Sequence, residues 1–279
     1  MAQAESSAAE RLTRRQLPWG DLARIEILPP AHREMASRTW LGRASGELHT
    51  AGTFTFLSLS LARIDAPARF RQIARDAIHE EQRHAEICRR MASIYAGHEV
   101  AMPPLYPIPL PTYRGAPEPL RASLHVIGQC CVNETTAGAF LERCLDGTTE
   151  PLARKVLLEL LGDEIEHARL GWAHLAHVCE TARGRADLSH WLPIMLRLNL
   201  ARWRAEFVIL PGDALWMHGC PPSHEIDAAV LDGMRTLIIP GFERAGVDVT
   251  EARAWCETLT QRPARDHLVP APSSTPETT

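Results

Sequence analysis

Glu81-Gln82-Arg83-His84 and Glu164-Ile165-Glu166-His167 set the same Glu-x-x-His spacing into two stretches whose apolar residues recur every three or four positions. On a helix of about 3.6 residues per turn, side chains three apart leave the same face, so each pair can reach one metal ion. Both motifs fall on the apolar stripe of their stretch. The first stripe reads Ile73, Ala77, Glu81, His84, Cys88, Met91, with Arg71, Arg75, Gln82, Arg89 and Arg90 elsewhere. The second reads Ala153, Leu157, Leu160, Glu164, His167, Gly171, with Arg154, Lys155, Glu159 and Arg169 facing away. A carboxylate on a core face is costly unless partners or a cation offset it, so the two stripes must be brought together in the fold.

Strand signals are scarce, and the chain reads as all-α. A first helix is expected over Ala31 to Arg63, stopping before Asp65-Ala66-Pro67, where Asp can cap and Pro can enter the first turn of the next helix. The second ends at Gly97. His98 to Pro119 carries six prolines (Pro103, Pro104, Pro107, Pro109, Pro111 and Pro117) before the terminal Pro119 and reads as an extended connection. A third helix covers about Leu120 to Leu145, and a fourth runs from Pro151 to about Arg183. Further helices are expected over Ser189 to about Leu210, Ser223 to Arg244 with an interruption at Pro240-Gly241, and Thr250 to about Gln261. This divides the chain into an N-terminal extension (1–30), a four-helix bundle (31–183), a C-terminal helical extension packed on it (184–262) and a Pro/Ser/Thr-rich tail (263–279) read as disordered.

Each motif has a partner glutamate one helix upstream. Glu47 lies on the first helix with Trp40, Ala44, Ala51 and Phe54, and Glu134 on the third with Ile127, Cys130, Gly138 and Leu141. One Glu from each of two helices and one Glu-x-x-His from each of the other two make the ligand set of carboxylate-bridged dinuclear metal bundles.

The pattern, with two tight hairpins joined by a long crossover, resembles the ferritin-like superfamily of di-iron carboxylate proteins. That group includes rubrerythrins, bacterioferritins, acyl-carrier-protein desaturases, bacterial multicomponent monooxygenases and arylamine N-oxygenases. The resemblance covers roughly Ala31 to Arg183. It implies that Glu47, Glu81 and His84 hold one metal and Glu134, Glu164 and His167 the other, with some glutamates bridging. Two Fe ions are implied, Mn/Fe and Mn/Mn pairs using the same ligands. Glu80 and Asp163, just before the ligand glutamates, are placed to accept from the histidine of the opposite hairpin. Arg83 matches the arginine that often precedes the ligand histidine in the family, whereas Glu166 replaces it in the second motif.

The implied activity is oxidation or oxygenation of an organic substrate, small or carrier-bound, by O2. No cysteine cluster offers a built-in electron-transfer centre, so a separate electron-donor protein is implied. Rubrerythrin-like iron or peroxide handling, and a non-catalytic binding scaffold, are the alternatives. The roughly one hundred residues after the bundle argue for an organic substrate. Tyr95, Tyr106 and Tyr113 lie more than a turn from any ligand, against a tyrosyl radical. Leu160 stands where arylamine N-oxygenases carry an additional histidine. Ala51, Gly138 and Gly171, each one turn after a ligand, leave room for oxygen or substrate or else permit close packing. Cys88 and Cys130 read as core residues, His174 and His177 as structural or exposed. Trp191, Trp203 and Trp216 are expected to pack the added helices or to line a channel.

A formal charge of −4 gives no reason to expect nucleic acid, and no apolar run approaches a membrane span. Seven cysteines without a paired pattern, and no apolar leader in Met1 to Gly20, point to a cytoplasmic protein.

Overall fold

The structure, a computed structural model, describes residues 17, 19–20, 22–105, 110–206 and 213–260, and among these there is no strand. A single helical turn, Ala23–Glu26, precedes α1 (Pro30–Arg63) and α2 (Ala68–Ala96). After the crossover come α3 (Glu118–Val126), a π-helical segment (Ile127–Asn133) and α4 (Glu134–Gly147), with the backbone helical through both junctions. α5 (Pro151–Val178) and α6 (Ala182–Glu206) follow. Then come a 3-10 segment (Asp213–His218), α7 (Ser223–Gly233), a second π segment (Met234–Ile238), α8 (Ile239–Arg244) and α9 (Thr250–Thr260).

Most expected boundaries hold, and the departures have physical causes. Asp65 does not cap the second helix. It takes a left-handed backbone (φ 49°), which Asp tolerates better than most residues, and Pro67 occupies the cap position. Gly97, at φ 76°, closes α2, its N–H donating to Ser93 O at 3.0 Å. The fourth helix ends at Val178, short of Arg183, because Thr181 starts a new one: its Oγ1 accepts from the backbone N–H of Gly184 at 2.9 Å. The sixth expected helix is interrupted one turn before Pro240, by the π segment. The wider turn falls where a proline, lacking an N–H, would otherwise break the ladder. The expectations for 207–210, for Gln261 and for the 263–279 tail lie outside the described residues, as do residues 1–16.

α1 packs along α2, α4 along α5, α2 against α5, and α3 against α1 and α5. The buried apolar residues form two clusters. Ala44 on α1, Cys88 on α2, Leu141 on α4 and Leu160 on α5 belong to the larger one. Phe54, Ala77, Cys130 and Leu170 belong to the smaller. On each helix the candidate donors stand between the two residues just named. α1 and α5 therefore run from the larger cluster to the smaller, while α2 and the α3–α4 rod run the other way. α2 and α3–α4 being parallel, the proline-rich crossover has to travel the length of the molecule before α3 begins. The described part of the N-terminal extension is tied down too, with Ile25 buried and the Arg90 guanidinium 4.0 Å above the Trp19 ring. α6 packs on the first π segment and α7 on α4.

Candidate metal centre

The layer between the two clusters gathers side chains from four helices: Glu47 (α1), Glu81 and His84 (α2), Glu134 (first residue of α4) and Glu164 and His167 (α5). Glu81, His84 and His167 have no solvent exposure, and Glu134 and Glu164 almost none; Glu47 is the most accessible, its side chain 17% exposed. His84 Nδ1 stands 3.6 Å from Glu81 Oε2, 3.6 Å from Glu164 Oε1 and 4.0 Å from Glu47 Oε2. His167 Nδ1 stands 3.0 Å from Glu81 Oε1 and 3.2 Å from Glu164 Oε2. Glu81 and Glu164 thus each turn one oxygen toward one histidine and the other oxygen toward the second. A carboxylate in that position can bridge two cations, whereas Glu47 faces only the His84 side.

Donor atoms of Glu47, Glu81, His84 and Glu164 all lie within 4.8 Å of one another, and this group could hold a metal ion. The hydrogen bonding agrees with the donor set. Both oxygens of Glu81 and Nδ1 of His84 are buried without a hydrogen-bond partner among the described residues. Leaving three such atoms unsatisfied in a core is expensive, and a divalent cation bound by O and N donors satisfies them together. Glu134 is held differently: Gln129 Nε2 donates to its Oε1 at 2.6 Å, so one oxygen is anchored by protein.

Through their mutual interactions alone, these groups redistribute charge. Burial, followed by repulsion from Glu81 and Glu164, pushes the Glu47 carboxyl well above the usual range; burial with Glu164 and Glu81 does the same to Glu134. Burial by itself would lower both imidazoles. The carboxylates outweigh it, Asp163, Glu164 and Glu81 around His84 and Glu164, Glu80 and Glu81 around His167, and raise both. Burial likewise opposes the charge on Glu164, but its two histidine partners bring it below the carboxylate range. Cations entering this layer would displace protons from it.

The outward-facing imidazole nitrogens behave as expected from the sequence. His84 Nε2 is 3.0 Å from Asp163 Oδ2, and His167 Nε2 is 3.0 Å from Glu80 Oε2, each acid belonging to the opposite hairpin. If Nε2 carries the proton, Nδ1 is left as a lone-pair donor facing the glutamates. Arg83 donates to Asp163 and, at 2.6 Å, to Glu159. Glu159 is therefore no outward-facing residue: it is buried, α5 being rotated enough to present it to α2. Glu166 is exposed and pairs with Arg169.

Of the small residues after the ligands, Gly171 serves packing, since a Cβ there would lie 2.3 Å from the Cys131 backbone nitrogen. Space opens elsewhere, in a cavity of about 140 Å³ reached by Glu47, Glu134 and Glu164 and walled by Gly46, Phe140 and Trp203 among others. Cys88 and Cys130 are buried free thiols. His177 is exposed; His174 is buried, with neither ring nitrogen bonded among the described residues. Tyr95 binds His218 Nδ1 at 3.0 Å and Tyr113 meets Trp191 edge-on, both away from the ligands, while Tyr106 lies outside the described residues. Trp216 packs over Gly147 and donates to Arg143 O.

Sequence reasoning missed Gln129, Asn133 and the π segment that carries them. Asn133 Oδ1 accepts from Asn199 Nδ2 at 3.2 Å and from Trp203 Nε1 at 3.0 Å, so α6 pins the turn immediately before Glu134. Three amides and an indole on buried positions were the available signal. Among the described residues no helix is long and apolar enough to cross a membrane. No family model, curated protein or solved structure matches this chain.

Proposed function

We propose that this chain is a ferritin-like di-iron oxidoreductase that uses O2 to oxidise or oxygenate an organic molecule, drawing electrons from a separate donor protein. The observation that carries the reading is the joining of a six-donor ligand layer to a cavity large enough for an organic group. Two antiparallel hairpins joined by a long crossover are also the connectivity of ferritin-like bundles.

Glu47, Glu81 and His84 would hold one iron and Glu134, Glu164 and His167 the other, with Glu81 and Glu164 shared. Iron held by these residues would supply the redox chemistry for oxidising a molecule bound beside it. The chain's own part is geometric and electrostatic. Asp163 and Glu80 fix the two imidazoles with Nδ1 inward. Arg83 keeps Asp163 charged and in place. Gln129 holds one oxygen of Glu134 and leaves the other available. Glu81, His84 and His167 are closed off from solvent, and the cavity would admit the reactant beside Glu47, Glu134 and Glu164.

The test is anaerobic purification with added ferrous iron, metal quantification, and absorbance and Mössbauer spectra before and after oxygen. Binding of about two irons per chain, abolished by Glu81→Ala together with His167→Ala, and oxidation to a coupled ferric pair on exposure to oxygen support the proposal. A folded protein that stays iron-free under these conditions overturns it.

A further inference from the structure

Arg43 lies one helical turn before Glu47 on α1 and lines the same cavity. Its Nη2 donates to Gly219 O and, at 3.4 Å, to Cys144 Sγ. Its Nε and Nη1 are shielded from solvent and have no hydrogen-bond partner among the described residues, and no carboxylate among them comes within ion-pairing distance. The guanidinium is instead flanked by two aromatic rings, its carbon 4.5 Å from the centre of Trp40 and 5.2 Å from that of Phe140. The surrounding thiols do not neutralise it, because burial holds Cys144 at about 12 and Cys220 at about 11. Arg43 is half-buried as a residue, but its Nε and Nη1 are cut off from water, and a permanent cation so placed without a counter-charge is costly, aromatic faces offsetting only part of that. Glu47 does not supply the missing charge once it serves a metal, since four glutamates and two divalent cations cancel. Of the two other arginines at this cavity, Arg38 is paired with Glu34 and Arg202 is engaged as well.

The cavity wall carries an apolar group, Ala137, Phe140, Leu141, Trp203 and Ile226, beside the polar Thr39, Thr50 and Asn133 and the three glutamates. Its volume of about 140 Å³ matches apolar cavities of roughly 150 Å³ that take up a benzene-sized guest. We infer that the substrate is an organic carboxylate with an apolar body of about five or six carbons, its charge directed to Arg43 and its body lying along Phe140 and Trp203 toward the glutamate layer. The inference rests on the oxidase reading for the word substrate, but the binding site it describes does not need turnover to be observed.

The test is calorimetric titration of the Zn(II)-loaded protein, and of the metal-free protein in parallel, with benzoate and hexanoate and with the neutral benzamide and hexanamide. The expected result is carboxylate binding at least about tenfold tighter than the matching amide. Arg43→Met is expected to abolish that preference and Arg43→Lys to retain part of it, with circular dichroism and zinc content unchanged in both. Equal binding of acid and amide overturns the proposal. So does a preference that survives Arg43→Met, which would assign the carboxylate to the metal instead. If Arg43→Met does not fold, the acid-to-amide ratio in the wild type and Arg43→Lys decides. Carboxylate selectivity in a protein that takes up no iron would overturn the oxidase reading and leave this one standing.

Discussion

Oε1 of Glu81 lies 3.0 Å from His167 Nδ1 although Glu81 belongs to the α2 motif and His167 to the α5 motif. Its other oxygen faces His84 on its own helix at 3.6 Å. Removing this carboxylate takes one donor from each side of the layer, whereas removing Glu47 affects only the His84 side. Glu81→Ala is therefore expected to lose both metals and Glu47→Ala to keep about one per chain. Metal analysis after ferrous loading and desalting distinguishes them; equal losses would mean that Glu81 is not shared.

Metal binding should be visible as stability. The unfolded chain offers no assembled site, so a cation at one hundred times its dissociation constant adds about 2.7 kcal/mol. The melting temperature of the protein should rise with added Zn(II) or anaerobic Fe(II) and fall back with chelator. A melting curve indifferent to these ions would count against the whole ligand layer.

Asp163 orients His84 and anchors Arg83. Asp163→Asn keeps the shape but removes the charge, and metal affinity is expected to drop by about 10- to 100-fold. Competition with a colorimetric chelator measures it. Glu166→Gln, at an exposed position, serves as the control and should leave affinity unchanged.

Asn199 reaches from α6 to Asn133 at the end of the first π segment. Asn199→Leu strands buried amide groups and is expected to cost about 1–3 kcal/mol in urea unfolding. Because that segment delivers Glu134, the variant should also release one metal faster than the other. Uniform release of both metals would show that α6 does not govern Glu134.

His174 titrates far from neutral, burial lowering it to about 4 from an ordinary 6.5. The unfolded chain binds this proton at higher pH than the folded one does. Its contribution to stability is therefore complete above pH 6.5 and is lost progressively as pH falls toward 4. The size is about 3 kcal/mol. His174→Phe, beside Phe70, should flatten the wild-type fall in stability over that window, measured by urea titration at several pH values. A variant with the wild-type slope would place the pH dependence elsewhere.

The six candidate donors are readable from the chain because helical periodicity is local. Glu81 and His84 share a face through the 3.6-residue turn alone, and the apolar residues above and below them mark that face as core. Gly97 and the prolines before α3 are equally local signals, which is why the two hairpins and the crossover could be bounded without coordinates. Where local signals compete, the sequence leaves two outcomes open. Asp65 could cap or turn, and the chain used it to turn; Thr181 could continue a helix or start one, and it starts one.

What the sequence determined by itself was therefore which residues share a helix face, and with it the all-helical class and the six candidate donors. That Glu81 and Glu164 each turn one oxygen toward each histidine, and that Glu159 is buried against Arg83, were decided only by tertiary structure. Those facts depend on the rotation and axial offset of one helix against another, fixed by the packing of the whole core, to which contacts like that of Gly171 with the Cys131 backbone contribute. The same holds for the cavity and for Arg43. The sequence around Arg43 carries no sign of its surroundings, because the groups its guanidinium meets, Cys144 and Gly219, come from segments more than one hundred residues away.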